Sequence, residues 1–315
     1  MAGRMAVFSD PAEVVEALEA VGYLADEDIA TSVFLASALE MPLMVEGPAG
    51  VGKTELARAL AKAEGRELIR LQCYEGLDET KALYEWAYAK QLLYTQVLRD
   101  QVNELLAGSE GLDEAIERVA GLDDIFFSER FLLPRPLLQA LRSERPAVLL
   151  IDEVDKAEPE FEAFLLELLS DFAVTLPELG RIEARHKPRV LLTSNAAREM
   201  SDALKRRCLH LHIDFPGPAR ELAILRAHLP ELPEVLAAQI VAVLEGLRGL
   251  ELKKLPSISE SIDWARALLL LGAGALDEAV IGRTLDVILK YEGDIARARG
   301  HLAAAGLPPG ARGEG

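Results

Sequence analysis

The sequence predicts an α/β protein: a parallel sheet with helices on both faces, followed by a smaller all-helical domain. Three observations carry that prediction. Short apolar runs alternate with helical patterns over the first two thirds of the chain, the signature of a parallel sheet covered on both faces. The glycine-rich stretch GPAGVGKT, Gly47 to Thr54, lies between one such run and a helix. After FPGP, Phe215 to Pro218, strand-like runs stop and amphipathic helical patterns continue alone.

Taken in order, Val14, Val15, Leu18 and Val21 are spaced for one apolar helix face within residues 12–40. PLMVEG, Pro42 to Gly47, reads as a buried strand closed by glycine, and Glu55 to Glu64 as a helix. ELIRLQC, Glu67 to Cys73, is a second strand, and residues 80–142 read as a helical insert. AVLLID, Ala147 to Asp152, is a third strand, followed by a helix with Phe161, Phe164, Leu165, Leu168 and Phe172 on one side. FAVTLPELGRIEA predicts a hairpin turning at Pro177 to Gly180. RVLLTSN, Arg189 to Asn195, is a fourth strand, and another apolar strand follows KRRC. The expected division is 1–217 for the α/β domain, 218–303 for the helical domain and 304–315 for a disordered Gly/Pro-rich tail.

Bulk properties narrow the function. A chain of 315 residues with 50% hydrophobic content can bury a large core. Its net charge of −18 repels a phosphate backbone, so no nucleic-acid partner is expected. No apolar run is long enough for a membrane span, and the N-terminus lacks a secretory pattern. The two cysteines, Cys73 and Cys208, have no metal-ligand spacing and fit core positions in a reducing cytoplasm.

GPAGVGKT satisfies the phosphate-loop pattern, which a chain of this length meets by chance on the order of once in a hundred sequences. Gly47, Pro48, Ala49, Gly50, Val51 and Gly52 supply backbone amides that curl toward an anion, and Lys53, Thr54 and Glu55 open the helix behind them. Lys53 would reach the β- and γ-phosphates, and the Thr54 hydroxyl would bind magnesium. Lys53 reads as an exposed ammonium on a surface loop, whose removal changes stability by less than about 0.5 kcal/mol.

Asp152 and Glu153 end the AVLLID strand. Downstream of a phosphate loop, Asp152 is expected in the magnesium shell and Glu153 as the carboxylate that polarises the attacking water. Asn195, closing RVLLTSN, would orient that water. Alone each motif has a plain reading, a solvated strand edge or a turn asparagine; their order in one sheet favours the catalytic one. Arg206 and Arg207 stand where an arginine finger would project toward a neighbouring subunit.

GPAGVGKT, LLIDEVDK, LLTSN and ALKRRC, in this order, resemble an AAA+ ATPase over roughly residues 20–300. That implies a phosphate-loop core with a helical lid, Mg-dependent ATP hydrolysis and a homo-oligomeric ring, commonly a hexamer, that remodels a protein client. Within the family the sequence resembles the MoxR-type branch. YEGLDETKALYEWAYAKQLLY, LPSISESIDWARALL and YEGDIARAR are similar to the ATPases of molybdenum–copper carbon monoxide dehydrogenase maturation. That resemblance implies a molybdenum-containing dehydrogenase as client and a von Willebrand factor A domain adaptor. ATP as the nucleotide also rests on the resemblance; no Asn-Lys-x-Asp element marks guanine.

The family's sensor-two arginine is replaced here by Glu260, which with Ser257 forms a Ser-x-x-Glu capping box behind Pro256. Arg266, nearly two turns later, reads equally as a substitute or as a surface charge of the helix. Tyr84, Trp86, Tyr88 and Tyr94 crowd the insert, as helix packing or as a partner-gripping surface. GSEGLDEAIERVAGLDD reads most simply as a solvated acidic helix and turn, with a dock for a basic client as the alternative. Two other classes compete with the remodeller: a nucleic-acid motor or helicase loader on the same core, which acidity disfavours, and a scaffold that binds ATP without turnover.

Overall fold

The computed structural model describes residues 8–97, 129–176 and 180–305. Five parallel strands form the central sheet: β1 Leu43–Glu46, β2 Glu67–Gln72, β5 Ala147–Asp152, β8 Arg189–Ser194 and β9 Leu209–His212, in the spatial order β2-β5-β8-β1-β9. Two short antiparallel pairs stand apart from it, β3 Tyr84–Trp86 with β4 Leu132–Pro134 and β6 Ala173–Leu176 with β7 Gly180–Glu183. The second pair is the predicted hairpin; its turn residues 177–179 lie outside the described part.

β5 is buried at all six positions, the pattern of a central strand with helices on both faces. Its alternate side chains feed two different cores. Leu149 and Ile151 pack with Phe161, Leu165 and Leu168 of helix Pro159–Asp171. Val148 and Leu150 pack with Leu56 and Leu60 of helix Lys53–Ala63. Burial of each such side chain contributes about 1.5–3 kcal/mol, enough for a sheet flanked on both sides to hold its register. Val14 and Leu18 of helix Pro11–Glu19 join the second core, with Val15 and Val21 partly buried against it.

Residues 218–305 are helical and carry a third core around Trp264, whose indole N–H donates to Thr284 Oγ1 at 2.9 Å. Ala304 and Ala305 end the last helix rather than begin a tail; residues 306–315 lie outside the described part.

The region 80–142 departs from the expected helical insert. It holds the β3–β4 pair as well as helices, and helix Pro136–Arg142 buries Leu137, Leu138 and Leu141 in the main core. Three-residue strands are too short for periodicity to reveal. Most of the aromatic run packs. Trp86 is buried, Tyr84 meets it edge-on at 5.6 Å, and Tyr94 meets Phe131 edge-on at 5.2 Å. Tyr88 alone of the four points outward, 65% exposed. The acidic stretch 108–124 lies outside the described residues. Both cysteines are buried, which pushes each thiol up to about 12, so both are inert core residues. Among the described residues no helix is long and apolar enough to cross a membrane.

Candidate nucleotide site

The parallel register aligns Gln72 with Asp152 and Glu46 with Ser194, so the chain leaves four strands at one edge of the sheet. In open α/β sheets that carboxyl edge is where ligands bind. β1 ends there and enters the glycine-rich loop. Gly47 has φ +147° and Gly50 φ +78°. A Cβ at 47 would lie 1.9 Å from the Ile213 carbonyl oxygen, and one at 50 would lie 2.3 Å from Ser257 Oγ. Both positions need glycine for space as well as for backbone conformation. Helix Lys53–Ala63 begins behind Gly52 with no side-chain cap, and its first-turn residues line a cavity of about 280 Å³.

Lys53 is not the exposed group that the sequence suggests; it is 6% exposed. The loop wraps around it, and its ammonium donates to the carbonyls of Gly47 (2.6 Å) and Pro48 (2.7 Å) and to Asn195 Oδ1 (2.9 Å). All three protons are used. Burial lowers the pKa of this lysine, against the pull of the Asp155, Asp152 and Glu153 carboxylates.

Asp152 is 2% exposed and fully engaged. Its Oδ1 accepts from Thr54 Oγ1 at 3.0 Å and Thr193 Oγ1 at 2.5 Å. Its Oδ2 accepts from Arg70 Nε at 2.9 Å and Arg70 Nη2 at 2.5 Å. Glu153 sits in the left-handed region, φ 56° and ψ 50°, a strained conformation for a non-glycine residue that its amide's bond to Thr193 Oγ1 at 2.8 Å supports. Its carboxylate accepts from Asn195 Nδ2 (3.2 Å), Gln72 Nε2 (2.8 Å) and Lys156 Nζ (2.6 Å). Asn195 thus bridges Lys53 and Glu153. Its own position is fixed by buried Asp155, which accepts from the amides of Asn195 (3.2 Å) and Ala197 (3.0 Å).

Thr54 and Asp152 form a small all-oxygen donor set. Among the described residues there is no cluster of three or more histidine, cysteine or acidic side chains suited to a metal. A cation held here would complete its shell with phosphate oxygens and water, the habit of magnesium.

A second cavity of about 290 Å³ adjoins the loop, walled by Tyr23, Val51 and Ile213 from the core and Ile224, Ile258 and Ile262 from the helical region. It suits a flat, mainly apolar group. Arg220 closes its rim by donating to the Leu24 carbonyl at 2.9 Å and pairing with Asp26.

Helix Ile258–Leu270 begins with the predicted capping box, which engages Glu260 fully with Ser257 and Lys254. Ser259 is the residue of that helix that lines the phosphate-loop cavity. Arg266 does not: it is 58% exposed, pairs with Asp263 at 3.6 Å and lines neither cavity. Seven residues beyond Ser259 at ~1.5 Å each puts it about 10 Å along the helix, too far to serve as the sensor-two substitute. Arg206 and Arg207 end helix Asp202–Arg207, both exposed, and among the described residues neither has an ion-pair partner.

Sequence reasoning missed Arg70, Gln72, Thr193, Tyr23 and Ser259. The first two had a signal: polar residues at alternate positions, so on one face, of the predicted strand ELIRLQC. The other three become visible only when distant segments meet.

Three relatives frame the site. The chain is 27% identical to gas vesicle ATPase GvpN2 of Halobacterium salinarum over 219 residues, 67% of this chain and 57% of that one. It is 22% identical to protein NorQ of Paracoccus denitrificans, over 92% of this chain and 95% of that one. It is 29% identical to chaperone protein ClpB 2 of Thermosynechococcus vestitus, over 49% of this chain and 13% of that one. It spans just over half the length of the gas vesicle relatives it matches. Among solved structures, a Thermotoga maritima RuvB mutant superposes with a TM-score of 0.48 at 16% identity, over 89% of this chain and 73% of that one. Residues 42–208, just over half of the chain and all of the loop, strand-end carboxylates and finger positions described above, match the AAA domain (dynein-related subfamily), and the chain belongs to the AAA+ ATPase family.

Proposed function

We propose that this chain binds ATP with magnesium and hydrolyses it to remodel a protein client, as one subunit of a homo-oligomeric ring. The observation that carries the reading is the polar run Lys53–Asn195–Glu153 laid beside the Thr54–Asp152 pair at one sheet edge. In the reaction Lys53 exchanges the loop carbonyls for phosphate oxygens, and the helix N-terminus behind it adds amides. Thr54 and Asp152 would hold magnesium, which would supply positive charge to neutralise the phosphates. Asn195 orients the attacking water, and Glu153, released by Gln72 and Lys156, takes its proton. Arg207, with Arg206 as the fallback, reaches the next subunit's site. The apolar cavity beside the loop receives the base.

The relatives' names support the activity: two kinds are called ATPase or chaperone. The finer reading places the chain in the MoxR-type branch, in metalloenzyme maturation in the cytoplasm. Its client would be a molybdenum-containing dehydrogenase, delivered by a von Willebrand factor A adaptor to a hexamer. It is supported by the stretches that resemble the carbon monoxide dehydrogenase ATPases. Residues 1–217 act as the nucleotide-binding domain and 218–303 as the lid.

Glu153→Gln tests both levels. ATP should bind normally while phosphate release falls by on the order of 10²–10⁴. Proteins retained on the ATP-loaded variant, identified by mass spectrometry, name the client. Near-normal turnover removes Glu153 from its role. Retention of the wild type on single-stranded DNA at physiological salt restores the nucleic-acid motor instead.

A further inference from the structure

Asp152 lies 2% exposed at the sheet edge, and burying a carboxylate requires a positive partner. Lys53 is not that partner, since its three protons go to two carbonyls and Asn195. The partner is Arg70, whose guanidinium puts two donors on Oδ2, at 2.9 and 2.5 Å. The other oxygen is held by the hydroxyls of Thr54 and Thr193. The carboxylate expected to receive magnesium is therefore already neutralised by a side chain of the neighbouring strand.

We propose that Arg70 is a built-in counter-ion that competes with magnesium for Asp152 and so sets the magnesium concentration at which nucleotide binds. The inference rests on the Mg-nucleotide reading above and assigns Arg70 a positioning role, not a catalytic one. Two features make the contact displaceable rather than permanent. Arg70 enters from an outer strand of the sheet on a long stem and is 42% exposed, so its head has water to swing into. A dication beside the guanidinium would also repel it across a few ångströms of weakly screened interior. Thr54 and Thr193 carry no charge and can stay.

These four donors fix the orientation of the Asp152 carboxylate. The residue at position 70 then tunes metal demand without touching the phosphate loop.

The test is a magnesium titration of wild type, Arg70→Met and Arg70→Lys, at fixed protein and a fluorescent ATP analogue, from EDTA upward. Half-maximal nucleotide binding should need less magnesium in Arg70→Met than in wild type, by on the order of threefold to tenfold, the size of a half-exposed charge-assisted pair. Arg70→Lys, which keeps the charge and loses the two-pronged contact, should fall between. A second measurement leaves nucleotide out: magnesium chloride alone should raise the Tm of Arg70→Met more than that of wild type. Equal magnesium midpoints for all three proteins overturn the proposal, as does a higher midpoint in Arg70→Met. Should Arg70→Met fail to fold, Arg70→Lys carries the same comparison. If wild type binds no nucleotide at any magnesium level, the nucleotide reading fails first, and the metal-only Tm series still tells whether Arg70 competes.

Discussion

The α/β core and the helical lid face the same cleft with opposite equipment. The core brings charge, each group held by named partners: Lys53 and Asp152 buried, Glu153 half-buried and Arg70 exposed. The lid brings shape. Ser257 rests against Gly50, Ile258 and Ile262 wall the apolar cavity, and Ser259 is the lid residue lining the phosphate-loop cavity. Where the family usually carries an arginine, Glu260 is turned to its own helix start and Arg266 points away. At the loop itself the helical region places the hydroxyl side chains Ser257 and Ser259.

That contrast breaks first at Arg207. A finger supplied by a neighbour contributes on the order of 10³–10⁵ in rate, so Arg207→Ala should lose that factor in turnover and keep its nucleotide affinity. Mixing it with Lys53→Ala, which cannot bind nucleotide, sharpens the test. A mixed ring sets an intact site beside an intact finger, and phosphate release should return in part. Recovery with Arg206→Ala but not with Arg207→Ala would move the finger by one residue. Turnover per subunit that stays constant down to monomers, measured with light scattering, would end the trans mechanism. Lys53→Ala also loses stability, by about 1–3 kcal/mol in a urea titration, because two loop carbonyls lose their buried donor.

The second break is at the contact between the two regions. A methyl group at Gly50 would lie 2.3 Å from Ser257 Oγ and 2.6 Å from its Cβ, in a backbone conformation with φ +78°. Left-handed backbone alone costs a non-glycine residue about 1–2 kcal/mol. Gly50→Ala should therefore weaken nucleotide binding by on the order of tenfold, read by calorimetry. Adding Ser257→Gly should restore part of it, because the steric half of the cost disappears while glycine remains a passable helix cap. No recovery would mean that the lid stands off the loop when nucleotide binds.

The core was largely legible in the sequence because its chemistry is local. GPAGVGKT, LLIDEV and LLTSN each carry their function within a few residues, and buried strands between helices fix where they meet. The environment of Lys53 was not legible, since its burial depends on how carbonyls of its own loop fold back. Arg70 was half legible, as a polar residue out of place on ELIRLQC. The β3–β4 pair was missed because three-residue strands show no period, and of the two readings of Arg266 the structure shows the surface charge, exposed and paired with Asp263. The capping box was read correctly, since Ser257 and Glu260 are three apart and touch.

The smallest effect, at Glu260, decides whether the lid's charge is scaffold or sensor. Burial pushes the Glu260 carboxyl up, but the bonds from Lys254 Nζ at 2.6 Å, from the Ser257 hydroxyl and from the Ser257 amide at 2.8 Å outweigh it and hold the group below its usual range. A carboxylate whose folded pKa is depressed contributes stability above its unfolded pKa of about 4.3, and the contribution fades as pH falls through the folded value. Glu260→Gln keeps a capping-box acceptor and removes the charge. At pH 7 it should cost about 0.5 kcal/mol in a urea titration, kept small because the Lys254 end is half in water. The gap should close as pH falls through the folded pKa, where wild-type Glu260 also becomes neutral. A gap that persists in acid would assign the effect to hydrogen-bond geometry instead of charge. Nucleotide affinity at pH 7 should not change, and a tenfold change in Kd would mean that Glu260 reaches the phosphates after all.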